Sequence, residues 1–360
     1  MSTSTVHTHV GLALAGLAAL LTLLVVLTAV RKSLRTAAAR RRECVEAAVR
    51  PRLIEWLAAE RTGATTLSEA RGTDGRILDS VTASLLTKLR GVDRDAIVEL
   101  LEVRGVISSA CRATRSRGAV RRARAAELLG AAATSSSFTD LQRLLGDGNS
   151  EVRAVAARAF GRLGRAEAVQ PLLEALDGQS PLPVGLVTMA WLHVGAVAEE
   201  PLRFVGLRSA SPLTRSVSAR LLGVLGAVGS EADLVGVAES DPDPQAREAA
   251  AFALGRVGGP KAIRALIRCL EENAFAPLTT AAARALGEIG GVQAVPALET
   301  AASSPIHTVA RAATVALAGL GAEGWSRLEM LAHGTGMAAE HAREAISTAS
   351  IAQRSGQRAA

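Results

Sequence analysis

The sequence predicts an all-α protein built from repeated pairs of short helices, and three observations support this fold class. A 32-residue unit at 147–178 carries apolar residues at helical spacing. Copies of that unit recur along the chain at a nearly constant step. The composition is 49% hydrophobic but only 2% aromatic, with no tyrosine. Helices packed through alanine, leucine and valine have this composition, whereas a β-sandwich or barrel would need more β-branched and aromatic alternation.

The unit at 147–178 is predicted to form two helices, over 151–163 and 166–176, with Gly164 between them. Pro171 lies early in the second helix, before its apolar run. Apolar positions three and four residues apart give the first helix one buried face. These positions are Val152, Val155, Ala156, Ala159, Phe160 and Leu163. Turn and N-cap chemistry ahead of it comes from Asp147, Asn149 and Ser150.

The copies are aligned on one glycine in the first helix of each unit, Gly161 in the segment ARAFGRLG. The equivalent positions are Gly130, Leu192, Gly223, Gly255, Gly287 and Ala318. The steps between successive positions are 31, 31, 31, 32, 32 and 31 residues. A step this constant over seven units indicates a true repeat array.

Units such as 241–272, DPDPQAREAAAFALGRVGGPKAIRALIRCLEE, resemble HEAT repeats of the bacterial phycobilisome-lyase-like type. The resemblance covers residues 116 to about 345. It implies a right-handed α-solenoid of about seven helix pairs whose surfaces bind partners. Three residues depart from the repeat pattern, and we expect modified packing between units at each of them. They are Leu192 and His193 in the third unit and Ala318 in the seventh.

The N-terminal region predicts a membrane anchor. Residues 10–30 are apolar apart from two threonines, and 21 helical residues span about 31 Å, enough for a hydrocarbon core of about 30 Å. Basic side chains follow the apolar run and none precedes it, which places 1–9 outside and the rest in the cytoplasm of a single-pass plasma-membrane protein. These topology residues, which are also expected to meet anionic lipid headgroups, are Arg31, Lys32, Arg35, Arg40, Arg41 and Arg42.

Between the anchor and the repeats, 31–52 is predicted as a basic juxtamembrane helix and 53–115 as a small helical cap. The cap is expected to contain a loop over 62–75 and two amphipathic helices. Gly91 would be the C-cap of the first and Asp93 the N-cap of the second. The solenoid is predicted to occupy 116–352, followed by a polar, frayed tail at 353–360.

The net charge of +7 is not distributed as in a nucleic-acid-binding protein. Residues 1–117 carry +7, residues 118–352 carry −2 and the tail carries +2. A nearly neutral solenoid makes nucleic acid an improbable partner. The three cysteines are far apart, so neither a zinc site nor a disulfide framework is expected.

Two arginine sets are candidates for binding. The first is a run at the start of the repeats, read as a solvated face, a docking patch for an acidic partner or the membrane, or a nucleic-acid site. It contains Arg112, Arg115, Arg117, Arg121, Arg122 and Arg124. The second is a column eight residues before the aligned position, formed by Arg122, Arg153, Arg215 and Arg247. Asp147 and Asp241 lie six residues before Arg153 and Arg247, which resembles the structural Asp–Arg ladder of HEAT proteins.

Two functions from different classes remain open. The favoured one is a non-enzymatic adaptor that binds a protein at the membrane. The sequence contains no His-Glu dipeptide, phosphate-binding loop, nucleophile elbow or HExxH motif, so no catalytic residue, metal or cofactor is predicted. The alternative is a lyase-like enzyme or enzyme subunit with a small-molecule pocket near Trp191 and His193.

Overall fold

The computed structural model describes residues 70–359 apart from 179, 273 and 274. Before residue 70 it describes 24, 26–33, 36, 43, 47–48 and 51–57. Side chains at 73 and 352–359 are not described. All regular structure within these residues is helical, so the all-α prediction is confirmed for them. The chain divides into two compact units, Met1–Ser109 and Ala110–Ala360.

The first unit contains α1 (Gly72–Leu85) and α2 (Val92–Val103), and α3 (Val106–Ala113) leads into the second unit. Arg104 ties the two helices together, since its Nε donates to Asp79 Oδ1 at 2.5 Å and its Nη2 to the carbonyl of Ala70 at 3.0 Å. Two details differ from the prediction. Gly91 is the N-cap of α2, with φ of 61°, and Gly105, with φ of 69°, divides the predicted second helix in two. Both positions need the left-handed backbone that glycine adopts freely.

The second unit consists of seven successive helix pairs and a final helix. The first helices of the pairs are α4 (Ala119–Ala132), α6 (Ser150–Arg162), α8 (Val184–Val194), α10 (Pro212–Leu225), α12 (Pro244–Val257), α14 (Ala276–Ile289) and α16 (His307–Ala318). The second helices are α5 (Phe138–Leu145), α7 (Val169–Asp177), α9 (Glu199–Pro201), α11 (Glu231–Ser240), α13 (Pro260–Glu272), α15 (Val295–Ala302) and α17 (Gly321–His333). The array ends with α18 (Met337–Ala359). This arrangement is an α-solenoid of stacked helix pairs, and we number the repeats one to seven.

Capping chemistry explains where the first helices begin. Asn149 caps α6, because its side chain accepts hydrogen bonds from the amides of Glu151 and Val152. Asp243 caps α12 in the same way by accepting from the amide of Ala246. Each side chain satisfies amides that have no partner within the helix.

The aligned glycines are the points where successive first helices touch. A Cβ added to Gly255 would lie 2.8 Å from both Cα and Cβ of Ala285 in the next repeat. The same alanine contact recurs at Gly130, Gly161, Gly223 and Gly287. Only glycine permits this backbone approach, so the period seen in the sequence is the period of inter-repeat packing.

The core is continuous through these contacts and is lined by small aliphatic side chains. Val152, Ala156 and Phe160 of α6 are fully buried, as the predicted apolar face requires. Phe160 packs against Phe138 of the preceding pair with ring centroids 4.9 Å apart. Apolar burial of this kind is the main stabilising term of a repeat array.

The predicted membrane anchor is not supported. Residues 1–9 and most of 10–30 lie outside the described residues. Of the predicted span, 24 and 26–30 are described and helical. No helix in the described part of the chain is long and apolar enough to cross a membrane. The predicted single-pass plasma-membrane location is therefore wrong on this finding, and contact with lipid headgroups has no support.

The C-terminal end also differs from the prediction. Helix α18 continues to Ala359, whereas residues 353–360 were expected to form a frayed polar tail. Arginine, glutamine and alanine, which make up much of this segment, are good helix formers. Polarity therefore does not by itself end a helix.

Candidate functional site

The third repeat is the irregular member of the array. After α8 the chain forms a 3₁₀ turn (Gly195–Ala198), the short α9 and a π-helical turn (Leu202–Gly206). The amide of Leu207 donates to the carbonyl of Leu202 at 2.8 Å, five residues back. Pro201 does not explain this turn, because Pro171 and Pro296 stand equally early in α7 and α15, which are regular α-helices. Such π turns are often found at functional sites.

The contact that joins the other repeats is also changed here. Leu192 stands where the other first helices mostly have glycine, and Leu221 stands where the following repeat would have the contacting alanine. Two leucines cannot reproduce the backbone approach of a glycine–alanine pair. The departure predicted from Leu192 is therefore a change in the packing between repeats three and four.

Exposed apolar side chains cluster in this repeat. Phe204 is 49% exposed, and the guanidinium groups of Arg203 and Arg208 lie 5.1 and 5.5 Å from its ring centroid. Cation–π contacts of this kind hold an aromatic ring in place at the surface. The other exposed apolar side chains are Val184, Met189, Leu192, Val197 and Val205.

Two of these residues, Phe204 and Val205, line a cleft of about 590 Å³, together with Phe138 and others. A second cleft, of about 450 Å³, includes Arg153 and Ser180 in its lining. Three residues line both clefts, which are therefore neighbours: Gln142, Pro171 and Glu174. We call the two clefts together with the exposed Phe204 and Val205 the third-repeat surface.

The arginine column joins neighbouring repeats through carboxylates. Arg122 donates from Nε and Nη2 to the two oxygens of Asp147, at 2.7 and 2.8 Å. Arg215 binds Asp241 in the same side-on manner, with both distances 2.7 Å. Each aspartate thus pairs with the arginine of the preceding repeat. Arg247 uses Nη2 to reach Glu272, the last residue of α13 in its own repeat, at 2.5 Å.

The arginines six residues after these aspartates contact backbone oxygens instead. Arg153 donates from Nη1 to the carbonyl of Asp147 at 2.9 Å, and Arg247 from Nε to the carbonyl of Ala238 at 2.8 Å. The Nε of Arg153 is buried and has no hydrogen-bond partner. Asp147 and Asp241 therefore lie in inter-repeat turns and Arg153 and Arg247 lie in the first helices that follow, but neither aspartate carboxylate pairs with the arginine six residues later.

These pairs change the acidity of the carboxyl groups. Hydrogen bonds from Arg122 lower the pKa of Asp147 below its usual value, against a smaller opposing effect of burial. For Asp241, burial alone would favour the neutral acid, but hydrogen bonds from Arg215 and from the amide of Asp243 outweigh it and lower the pKa. Both carboxylates are therefore stabilised in their charged form.

The predicted basic patch divides into paired and exposed members. Arg122 is committed to Asp147 and to two backbone carbonyls, so its guanidinium is not available to a ligand. Arg115 is exposed and lies 3.9 Å from Asp140. Arg117, Arg121 and Arg124 are exposed on or beside α4, and no ion pair is recorded for them within the described residues. Solvated side chains of this kind give no convergent site.

Trp191 and His193 do not form the predicted pocket. The side chain of Trp191 is fully buried in the core, so it presents no surface to a ligand or partner. His193 is exposed, and its Nδ1 lies 2.8 Å from the carbonyl of Met189. One residue faces the core and the other faces water, because they are two positions apart on a helix. The lyase-like alternative loses the geometry that suggested it.

The remaining predicted positions lie mostly outside the described residues. Arg31 and Lys32 are helical and exposed, whereas Arg35, Arg40, Arg41 and Arg42 are not described. Among the residues that the structure places, no three histidine, cysteine or acidic side chains are grouped to hold a metal. Cys111 and Cys269 are free thiols, and burial raises the pKa of both.

The third-repeat surface was not predicted as a site. The sequence signal that could have found it is Leu192, which breaks the glycine pattern. The exposure of Phe204 could not be read from the sequence, because an aromatic residue in a helical repeat normally belongs to the core.

Several proteins of known structure are similar to this chain at low sequence identity. None of the curated proteins compared with the chain matches it. An engineered protein of known structure is 18% identical over 79% of this chain and 88% of its own, with a TM-score of 0.39. Human deoxyhypusine hydroxylase in complex with glycerol is 20% identical over 77% of this chain and 98% of its own, with a TM-score of 0.30. The complex of CpcE and CpcF of phycocyanin lyase from Nostoc sp. PCC7120 is 20% identical over 75% and 94%, with a TM-score of 0.27. At these identities and TM-scores, none of them bears on what this chain does.

A family model described as HEAT repeats matches residues 112–184, 201–278 and 234–318. The unmatched stretch between the first two segments, 185–200, lies in the irregular third repeat. The matched segments lie in the part of the chain that forms the seven stacked helix pairs. Because the matches together cover more than half of its residues, the chain belongs to the HEAT-repeat family.

Proposed function

We propose that this chain is a non-enzymatic adaptor that holds a protein partner on its third-repeat surface. HEAT solenoids are commonly used to bind proteins, since stacked helix pairs present an extended and rigid surface. The third repeat is the place where this array departs from its own pattern. Repeats that serve only to extend a solenoid have no need of such a departure.

The observation that carries the proposal is the exposure of Phe204 in the lining of a cleft. An aromatic side chain that is 49% exposed and held by two arginines is already positioned for contact. Aromatic and arginine residues are enriched among the side chains that contribute most to protein–protein binding. The cleft is lined by apolar side chains together with charged ones such as Glu167 and Glu200, and both kinds occur in protein interfaces.

The test is to compare two charge substitutions at exposed apolar positions of different repeats. Phe204→Glu changes the third-repeat surface, and Val315→Glu changes α16, where Val315 is 53% exposed. The proposal predicts that a protein co-purified quantitatively with the full chain is lost with Phe204→Glu and retained with Val315→Glu. Circular dichroism must show equal helix content in both variants. Equal retention by both variants would contradict the proposal, as would turnover of a substrate by the purified chain alone.

A further inference from the structure

Arg153 holds the same position in the second repeat as Arg122 in the first and Arg215 in the fourth. In all three, Nη1 donates to the backbone carbonyl six residues earlier, which fixes the guanidinium in one orientation. These bonds are Arg122 to Ser116 at 3.0 Å, Arg153 to Asp147 at 2.9 Å and Arg215 to Ser209 at 3.0 Å. The three side chains therefore present the same remaining edge, formed by Nε and Nη2.

That edge is occupied in two repeats and not in the third. Arg122 and Arg215 use it to bind both oxygens of an aspartate 25 or 26 residues later. The corresponding position for Arg153 is Gly178, which has no carboxylate. Gly178 lies six residues before Val184, as Asp147 lies six before Arg153.

The neighbouring carboxylate does not replace the missing one. Asp177 accepts hydrogen bonds from the hydroxyl groups of Ser211 at 2.7 Å and Thr214 at 2.5 Å. It thus links the second repeat to the fourth. The Nε of Arg153 is left buried without a partner, a state that is costly for a charged donor.

Arg153 is at the same time part of the lining of the 450 Å³ cleft of the third-repeat surface. Gln142 and Ser180 bring further polar groups to the cleft, and Leu145 and Pro171 give it an apolar wall. A ligand carboxylate entering here would first meet Nη2 of Arg153, because Nε of the same edge is buried. Pairing through both donors of the edge, as at Arg122 and Arg215, is the strongest arginine–carboxylate arrangement.

We propose that Arg153 is a binding site for one carboxylate, supplied by an aspartate or glutamate side chain of the partner protein. The assignment of the carboxylate to a protein rests on the proposed function. Pro171 and Glu174 line both clefts. We therefore assign the partner's acidic side chain at Arg153 and its apolar side chain at Phe204 to one segment of the partner. Glu174 adds a negative charge to the cleft, so a dianion such as a phosphate is disfavoured.

The site can be tested with the full chain and a small probe. The probe is N-acetyl-aspartate N-methylamide, titrated into protein labelled with ¹⁵N-arginine while the Nε–H resonances are followed. One Nε–H resonance is expected to shift on binding. Arg153→Lys should remove this resonance and weaken binding of the probe roughly tenfold or more, because lysine lacks the parallel N–H donors of a guanidinium. The asparagine analogue of the probe should produce no shift. Arg215→Lys is the matched control, since that edge is already occupied, and it should leave binding of the probe unchanged.

A second variant places the carboxylate back inside the chain. The nearest atom to a Cβ built on Gly178 is the carbonyl oxygen of Glu174 at 3.5 Å, and the backbone there is extended, so a side chain fits. Gly178→Asp should abolish the response of Arg153 to the probe and raise the urea midpoint above that of Gly178→Asn.

Several results would overturn the inference. The site fails if no arginine Nε resonance responds to the probe, or if the response survives in Arg153→Lys. Acetate or methyl phosphate binding more tightly than the aspartate probe would show that the ligand is a free anion and not a protein side chain. Partner loss with Phe204→Glu combined with a silent Arg153 would leave the proposed function standing and remove this site alone.

Discussion

At the scale of single residues, the side-on pair of Arg215 and Asp241 is the clearest structural link between repeats. Both side chains are largely buried, with exposed fractions of 11% and 5%. Two short hydrogen bonds join them, and Asp241 also accepts from the amide of Asp243 at 2.9 Å. Removal of the negative charge of Asp241 leaves the buried guanidinium of Arg215 with a weaker hydrogen-bond acceptor.

The first prediction concerns this pair. Asp241→Asn should lower the free energy of unfolding by about 2 kcal/mol, the usual loss for a hydrogen bond to a charged group. Urea denaturation followed by circular dichroism measures it. Glu299→Gln is the matched control, because Glu299 and Arg327 are 3.7 Å apart and well exposed, and its effect should stay below about 1 kcal/mol. Equal effects of the two substitutions would refute the structural role of the pair.

The second prediction is a pH dependence with a defined sign. The folded state lowers the pKa of Asp147 and Asp241, so it binds fewer protons at these groups than the unfolded chain does. Their stabilising effect is therefore complete above the unfolded carboxyl pKa, about 4, and is lost as the pH falls through the lowered folded values. Urea midpoints between pH 7 and pH 3 should fall less steeply for the Asp147→Asn, Asp241→Asn double variant than for the natural chain. Parallel curves would show that other carboxylates are responsible.

How far the sequence predicts these residues depends on the kind of contact. The period located the arginine column and the two turn aspartates correctly. It associated Asp147 with Arg153, whereas the carboxylate binds Arg122 of the preceding repeat. A repeat places an arginine on both sides of each aspartate, and the distance between repeats decides which one it reaches. That distance depends on packing, which the sequence does not specify directly.

At the scale of elements, the glycine–alanine contact sets the spacing of the first helices, which gives the third prediction. Gly255→Ala should destabilise the protein by about 1–3 kcal/mol, because its Cβ would lie 2.8 Å from Ala285. Gly236→Ala is the control within a second helix, where nothing lies within 4 Å of an added Cβ. That change should stabilise the protein by up to about 1 kcal/mol, since alanine is the better helix former. Thermal denaturation distinguishes the two signs, and stabilisation by both substitutions would contradict the packing role.

The elements themselves were largely predictable. Apolar spacing and capping residues placed the two helices of the 147–178 unit within a few residues of their observed bounds. The prediction was poorer at Gly91 and Gly105, where the backbone is left-handed. A glycine can end a helix, begin one or divide one, and its residue type alone does not distinguish these roles.

At the scale of the whole molecule, the junction between repeats three and four departs from the pattern of the array. It lacks the glycine–alanine contact, and Val184 stands in the third repeat at the position of the arginine column. The stability of a repeat array is approximately a sum over repeats and their interfaces, so local opening is expected where an interface is poorest.

The fourth prediction follows for hydrogen exchange of the free chain. Amides of α8 and of the π turn (Leu202–Gly206) should exchange at least roughly tenfold faster than those of α12, a difference of about 1.4 kcal/mol in opening free energy. Exchange followed by mass spectrometry resolves these segments. Uniform protection across the repeats would mean that the third repeat is as firmly packed as the others.

The function could be predicted from the sequence less well than the fold or the helices. The repeat period identified the family and the fold, and the HEAT-repeat match confirms both. The membrane anchor predicted from residues 10–30 is not supported by any described helix. The predicted groove at Trp191 and His193 has no counterpart, since burial of a side chain depends on the neighbouring repeat as well as on its own helix. Solenoid function lies in the surface, and the surface is where the repeat pattern is least informative.

The most direct test of the account is site-specific photo-crosslinking of the full chain in its own cells. A photoreactive phenylalanine analogue is placed at position 204 or 205 of the third repeat, and at position 315 of the seventh as the control. All three positions carry exposed side chains. The proposed function predicts that 204 and 205 crosslink to one and the same protein and that 315 does not. Equal crosslinking at 315, or no protein adduct at either 204 or 205, would refute the proposed function.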